Sequence, residues 1–209
     1  MLLEPNRLAS YLASKICHDL VSPVGAASSA LEFMQDSSAQ DMREQAEQLL
    51  EQSTSRSLAR LQFLRYAFGS MGMSHGNAEL HEAKSIAEGY VASHKGEIEW
   101  NINNASLSFA QVRVMMNLIM LGLASLSRDG TIKVTMDQTD TLAIEVVATG
   151  RRARLGPDVR AALENKEPED GWDPRTIQPY FTTMIIDELG GKFSFDVAEE
   201  EITFIASGL

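Results

Sequence analysis

Histidine becomes a nucleophile near neutral pH when one ring nitrogen keeps its lone pair, and a neighbouring carboxylate can fix which one. The run Lys15-Ile16-Cys17-His18-Asp19-Leu20-Val21-Ser22-Pro23-Val24 offers that arrangement. Asp19 follows His18 directly and can accept a hydrogen bond from the imidazole. Such a bond sets the tautomer and assists proton movement at the other nitrogen. Ser22 stands four positions beyond His18 and Pro23 five beyond. Pro23 has no amide hydrogen to give the Asp19 carbonyl, and its ring crowds that carbonyl. A local kink is therefore predicted just past the histidine, with Gly25 adding freedom in the next turn.

A helix must carry these groups. Leu8, Leu12, Ile16, Leu20, Val24, Ala27, Leu31 and Met34 recur at helical spacing and form an apolar stripe. His18 lies two residues from both Ile16 and Leu20. That turns it by about 200° from the stripe, so it faces solvent. Ser14, Ser22, Gly25 and Ser29 share its face, and all are small enough for another protein's backbone to approach. The first helix is predicted to run from Pro5-Asn6 to about Gln35. A second runs from near Asp41 to Phe68. A two-helix hairpin buries little alone. The economical solution is a second copy across a two-fold axis, which predicts a homodimeric four-helix bundle.

The rest of the chain narrows the classes. It has 209 residues and a net charge of −11, against a nucleic-acid binder. Its single cysteine, Cys17, excludes an intrachain disulfide and points to a reducing, cytoplasmic setting. No apolar run reaches the roughly 20 residues of a membrane span, and no signal peptide is evident. His75, His81 and His94 match no common zinc spacing, so no metal site is expected. Three glycines within 69–77 mark a linker. The domain reading is therefore 1–70 hairpin, 71–77 linker and 78–209 a second unit. That unit reads as helix 78–92, strand 97–102, helix 108–126, strands 131–136 and 141–148, a helix to about Asn165, helix 175–189, and a closing hairpin of strands 192–197 and 201–206. Helices on one face of a mixed sheet make a two-layer α/β sandwich, so the chain is α+β overall.

At His18-Asp19-Leu20-Val21-Ser22-Pro23 the sequence resembles the H-box of bacterial histidine kinases, H-[ED]-x-x-[TS]-P. The second unit resembles their Bergerat-type ATP-binding domain, with three departures. Asn117 fits the first asparagine of the N-box helix, but the second position is Leu121, which cannot ligate a hard cation. Ala148 stands where the adenine-reading aspartate belongs, and Arg152 replaces the last glycine of that box. Gln178-Pro179-Tyr180-Phe181-Thr182-Thr183 lacks the glycines that would cradle phosphates. An H-box hairpin followed by a degenerate kinase domain is similar to the ChpT-like histidine phosphotransferases of alphaproteobacteria, over essentially the whole chain.

The resemblance implies a dimeric phosphorelay intermediate that works without ATP. His18 would take a phosphoryl group from the receiver domain of a hybrid histidine kinase (CckA-like) and pass it to response regulators (CtrA- and CpdR-like). Nε2 would attack while Asp19 orients the ring, with Ser22 and Pro23 supporting the motif. No cofactor is expected on this chain, and Mg2+ would come from the partner receiver's acidic pocket. The receiver would dock over Ser14, Lys15, Gly25 and Ser29, with Arg60 and Leu64 of the second helix extending the contact. Two other readings fit the residues: an ATP-dependent histidine kinase, and a scaffold that docks receivers without accepting phosphate.

Overall fold

The computed structural model describes residues 3–35, 40–69, 76–102, 106–127 and 129–209. Two long helices come first: α1, Pro5–Gln35, and α2, Arg43–Phe68, which follows a single 3₁₀ turn at Gln40–Met42. Pro5 opens α1, where a missing amide hydrogen costs nothing. Pro23 is buried and the helix continues through it. The linker expected at 71–77 lies outside the described residues except for Gly76 and Asn77. His75 falls there too.

The remaining elements are β1 (Asn77–Ala78), α3 (Leu80–Ser93), β2 (Glu97–Ile102), β3 (Leu107–Ser108), α4 (Phe109–Ser125), β4 (Thr131–Asp137), β5 (Ala143–Thr149), α5 (Pro157–Leu163), α6 (Ile177–Glu188), β6 (Lys192–Ala198) and β7 (Glu201–Ser207). Five strands form one sheet in the order β2-β4-β5-β7-β6. Only β2 and β4 run parallel, in the register Glu97 to Thr131 through Ile102 to Met136; the other neighbours are antiparallel. The two-residue strands β1 and β3 pair separately and were not foreseen, since two residues carry no alternation to read.

The strands alternate as a half-buried sheet should. Ile132, Val134 and Met136 of β4, Ile144, Val146 and Ala148 of β5, and Ile202, Phe204 and Ala206 of β7 turn inward. They meet α4, whose Met115, Met116, Leu118, Ile119 and Leu121 are almost wholly buried. Each such side chain contributes about 1.5–3 kcal/mol on leaving water. Ser108 caps α4 through a reciprocal box with Gln111, satisfying two orphan amides at its start. Gly122 lets the helix lie close to the sheet: a Cβ there would sit 3.0 Å from Ile132 Cδ1 and 3.3 Å from Val146 Cγ1. The expected α+β class, a hairpin followed by a two-layer sandwich, is the one found.

The hairpin is not a free arm. The end of α2 joins the main core through Phe63, Leu64, Tyr66 and Ala67, and Phe63 stacks on Tyr90 of α3 at 3.7 Å between ring centroids. The start of α1 joins a second cluster in which Leu8, Tyr11 and Leu12 pack on Ala162, Trp172, Ile177 and Tyr180. Among the described residues, no helix is long and apolar enough to cross a membrane.

Candidate functional site

His18 occupies the middle of α1, with 72% of its side chain accessible. Its Nδ1 lies 3.2 Å from Asp19 Oδ1. A carboxylate only accepts, so Nδ1 carries the hydrogen and donates, which leaves the lone pair on Nε2. The Asp19 side chain is only 12% accessible, and its other oxygen, Oδ2, accepts from Lys15 Nζ one turn earlier. The carboxylate is thus held from both sides and cannot swing away from the imidazole.

The backbone at the same residue is braced from α2. Pro23 cannot donate to the carbonyl of Asp19. Arg60 Nη1 donates to that oxygen instead, at 2.8 Å. The Arg60 Nε is buried with no partner among the described residues, so the guanidinium is committed inward. Behind it lies Tyr90, 3% exposed. Burial, followed by the negative charge of Asp19, pushes the Tyr90 hydroxyl pKa above its ordinary value. His94 rests against the Tyr90 ring at 4.5 Å and shares its Nδ1 with the Tyr90 carbonyl.

These positions revise two expectations for the docking face. Leu64 is 2% exposed and belongs to the core, because the end of α2 turns that side onto α3 and α4. Arg60 is half-buried and supports the helix backbone rather than presenting a charge outward. Lys15 is bound to Asp19. Ser14, Ser22, Gly25 and Ser29 are exposed beside His18, and a Cβ at Gly25 would meet nothing within 4 Å. Cys17 is exposed as well.

The degenerate nucleotide boxes can be followed atom by atom. Asn117 is fully buried. Its Nδ2 donates to the carbonyls of Ala67 and Arg113, and its Oδ1 accepts from Gln178 Nε2. The asparagine that fits the first position of the N-box pattern therefore ties α2, α4 and α6 together. Ala148 is buried in β5 against the core, where it offers no hydrogen bond to a base. Gln178 and Pro179 are buried inside α6, and Phe181 fills space under Phe68 and Arg113. Among the described residues, no group of three His, Cys, Asp or Glu side chains could hold a metal.

A family model described as the histidine phosphotransferase C-terminal domain matches residues 80–201. The chain is 32% identical over 200 residues to protein phosphotransferase ChpT of Brucella abortus (strain 2308), covering 95% of this chain and 94% of that protein. The chain belongs to the histidine phosphotransferase family. Its structure is similar to one described as a bacterial phosphotransferase, with a TM-score of 0.87 and 29% identity, covering 99% of this chain and 98% of the other. Full-length ShkA in complex with AMPPNP shares the fold at a TM-score of 0.50 and 14% identity, with 98% of this chain and 46% of that one aligned. A histidine phosphotransferase needs an accessible imidazole of defined tautomer. Of the other described histidines, His94 bonds only to Ser93 and its own helix's backbone, while His81 lies exposed on α3.

The brace from Arg60 was not readable from spacing, since it lies 41 residues from Asp19. One signal was present: a proline at position 23 orphans a carbonyl, which must find a donor elsewhere.

Proposed function

We propose that His18 is the phosphoacceptor of a two-component phosphorelay, receiving its phosphoryl group from an aspartyl phosphate on a receiver domain. The observation that carries this is the pinned Nδ1 on an otherwise exposed ring, which leaves the lone pair on Nε2. In the transfer, the Nε2 lone pair forms a bond to phosphorus. The bond from phosphorus to the receiver's carboxylate oxygen breaks, and its electron pair stays on that carboxylate. Nδ1 keeps its hydrogen, and Asp19 stabilises the positive charge that spreads over the ring. The reverse sequence loads a second receiver's aspartate. Acyl phosphate and phosphoramidate are both energetic, so positioning does most of the work.

The incoming receiver would sit on Ser14, Ser22, Gly25 and Ser29, whose small side chains leave the backbone approachable. The donor we favour is the receiver domain of a CckA-like hybrid kinase, and the acceptors CtrA- and CpdR-like regulators. Mg2+ would be brought in the receiver's acidic pocket, and no cofactor is assigned to this chain. The relay would run in the cytoplasm and without ATP. The internal commitments of Asn117 and Gln178 and the apolar Ala148 support that reading.

A homodimer is part of the proposal. Val24, Leu31, Leu49, Leu58 and Leu61 leave large apolar side chains exposed on the hairpin. Leu58 and Leu61, with Ile16 and Phe68, line an open apolar groove that a second hairpin would cover. A monomer by light scattering at micromolar concentration would refute this part.

The deciding experiment is a reconstituted relay. A purified phospho-receiver should label the native chain and not His18→Ala. Label on the alanine variant refutes the assignment. Binding without label supports the scaffold reading, and label from ATP with Mg2+ supports a kinase.

A further inference from the structure

The face of α1 that carries His18 is partly docked within the same chain. Tyr11 precedes His18 by seven residues, which on a helix is a rotation of about 20° short of two full turns. Tyr11 packs in the cluster formed with Trp172, Ile177 and Tyr180. One and two turns further along, Lys15 and His18 leave that contact and form one wall of a cavity of about 180 Å³. The rest of the lining is mostly apolar, Met120, Leu121, Leu155 and Val159 among it, and its polar members include Arg154 of the loop before α5, Arg175 just before α6 and Gln178 within α6. A water molecule's share of the liquid is about 30 Å³, so the space accommodates a tetrahedral oxyanion with its hydration.

The charge of the cavity is the second observation. The chain has 29 acidic and 18 basic residues. Even so, Arg154 and Arg175 are exposed and neither makes an ion pair among the described residues. Lys15 is neutralised by Asp19, and the Gln178 amide is engaged with Asn117 and Thr182. Of the charged side chains that line the cavity with His18, Arg154 and Arg175 are therefore the ones without an ion-pair partner among the described residues, and guanidinium forks match phosphoryl oxygens.

We propose that the cleft between α1 and α6 binds the phosphoryl group once it is on His18, with Arg154 and Arg175 as its ligands. The former nucleotide side of the fold then serves as a cradle for the chain's own phosphohistidine. This rests on His18 being the phosphoacceptor.

The test needs no partner protein. Phosphoramidate phosphorylates an exposed imidazole directly: Nε2 bonds to phosphorus, the original P–N bond breaks, and ammonia leaves after taking a proton. The phosphohistidine is then titrated by ³¹P NMR on the full chain. The charged groups facing the phosphoryl group are Lys15, Asp19, Arg154 and Arg175. In Arg154→Gln and in Arg175→Gln, the proton affinity of the phosphoryl dianion should rise about threefold to tenfold over native. Arg151→Gln, whose side chain lines a separate surface hollow with Ser127 and Asp129, should match native. Identical titrations for native, Arg154→Gln and Arg175→Gln would overturn the cradle while leaving the phosphoacceptor intact. A ³¹P signal that persists in His18→Ala, or no signal from the native chain, would instead overturn the assignment of His18, and the cradle with it.

Discussion

The bond from Arg60 to the Asp19 carbonyl makes a prediction that ordinary surface contacts do not. Arg60→Met keeps the aliphatic bulk and removes the donor. A charged donor to a half-buried carbonyl is worth about 1.5–3 kcal/mol, and the bond here is short and well formed at 2.8 Å. The loss should be felt in the native chain because position 23 cannot substitute. In Pro23→Ala, the new amide hydrogen at position 23 can close the normal helical bond to the same oxygen. Arg60 then becomes redundant at that atom, and the cost of Arg60→Met should fall by about 1–2 kcal/mol. The four chains are compared by urea denaturation at one fixed protein concentration, since assembly would add a concentration-dependent term. Cavity and entropy effects of each single change cancel in the cycle. An Arg60→Met cost that is the same in both backgrounds, within about 0.5 kcal/mol, would show that the guanidinium does not act through the carbonyl that the proline leaves free.

Other expectations are simpler. Asp19→Asn should slow phosphoryl acceptance on the order of a hundredfold while receiver binding, read by titration calorimetry, is preserved. Asn117→Ala should cost about 2–4 kcal/mol in urea denaturation, because the Ala67 carbonyl and the Gln178 amide lose a buried partner. Gly122→Ala should cost about 1–3 kcal/mol by the same measurement, since its methyl would meet Ile132 at 3.0 Å. Tyr90 gives a pH dependence. Its folded pKa is raised by burial and then by Asp19, so the folded chain holds the proton after the unfolded chain has released it. Stability from this group is therefore complete below about pH 10 and is lost as pH rises further. Tyr90→Phe should remove that part of the decline above about pH 10, and an unchanged slope there would refute it.

Periodicity made the elements legible, and partnership was what it left out. The 3.6-residue stripe placed α1 and α2 correctly and turned His18 outward, because a helix's phase is a local property. Strand β2 was read to its residue limits, and β4 to within one. Leu64 shows the limit. It carries the same apolar signal as Leu58 and Leu61, yet it is 2% exposed while they are 55% and 52%. The difference lies in which side of α2 meets α3 and α4, and nothing within α2 itself encodes that. Tyr11 was likewise readable as helical but not as the residue that docks α1 on α6.

Asn117 shows how the two levels join. The sequence identified it as the first asparagine of an N-box pattern whose second, cation-reaching position is Leu121, and read alone that pattern is a loss. In the folded chain the same amide donates to the last turn of α2 and accepts from α6, so it links the hairpin to the sandwich. Its side chain is a strut between the helix that braces His18 and the helix that walls its cavity. The α/β unit is retained, on this view, because the position of the imidazole depends on it. Arg60, Phe63 and Ala67 all reach from one stretch of α2 to fix Asp19, Tyr90 and Asn117 in turn. A change anywhere along that stretch should therefore alter the histidine's presentation before it alters the histidine's chemistry.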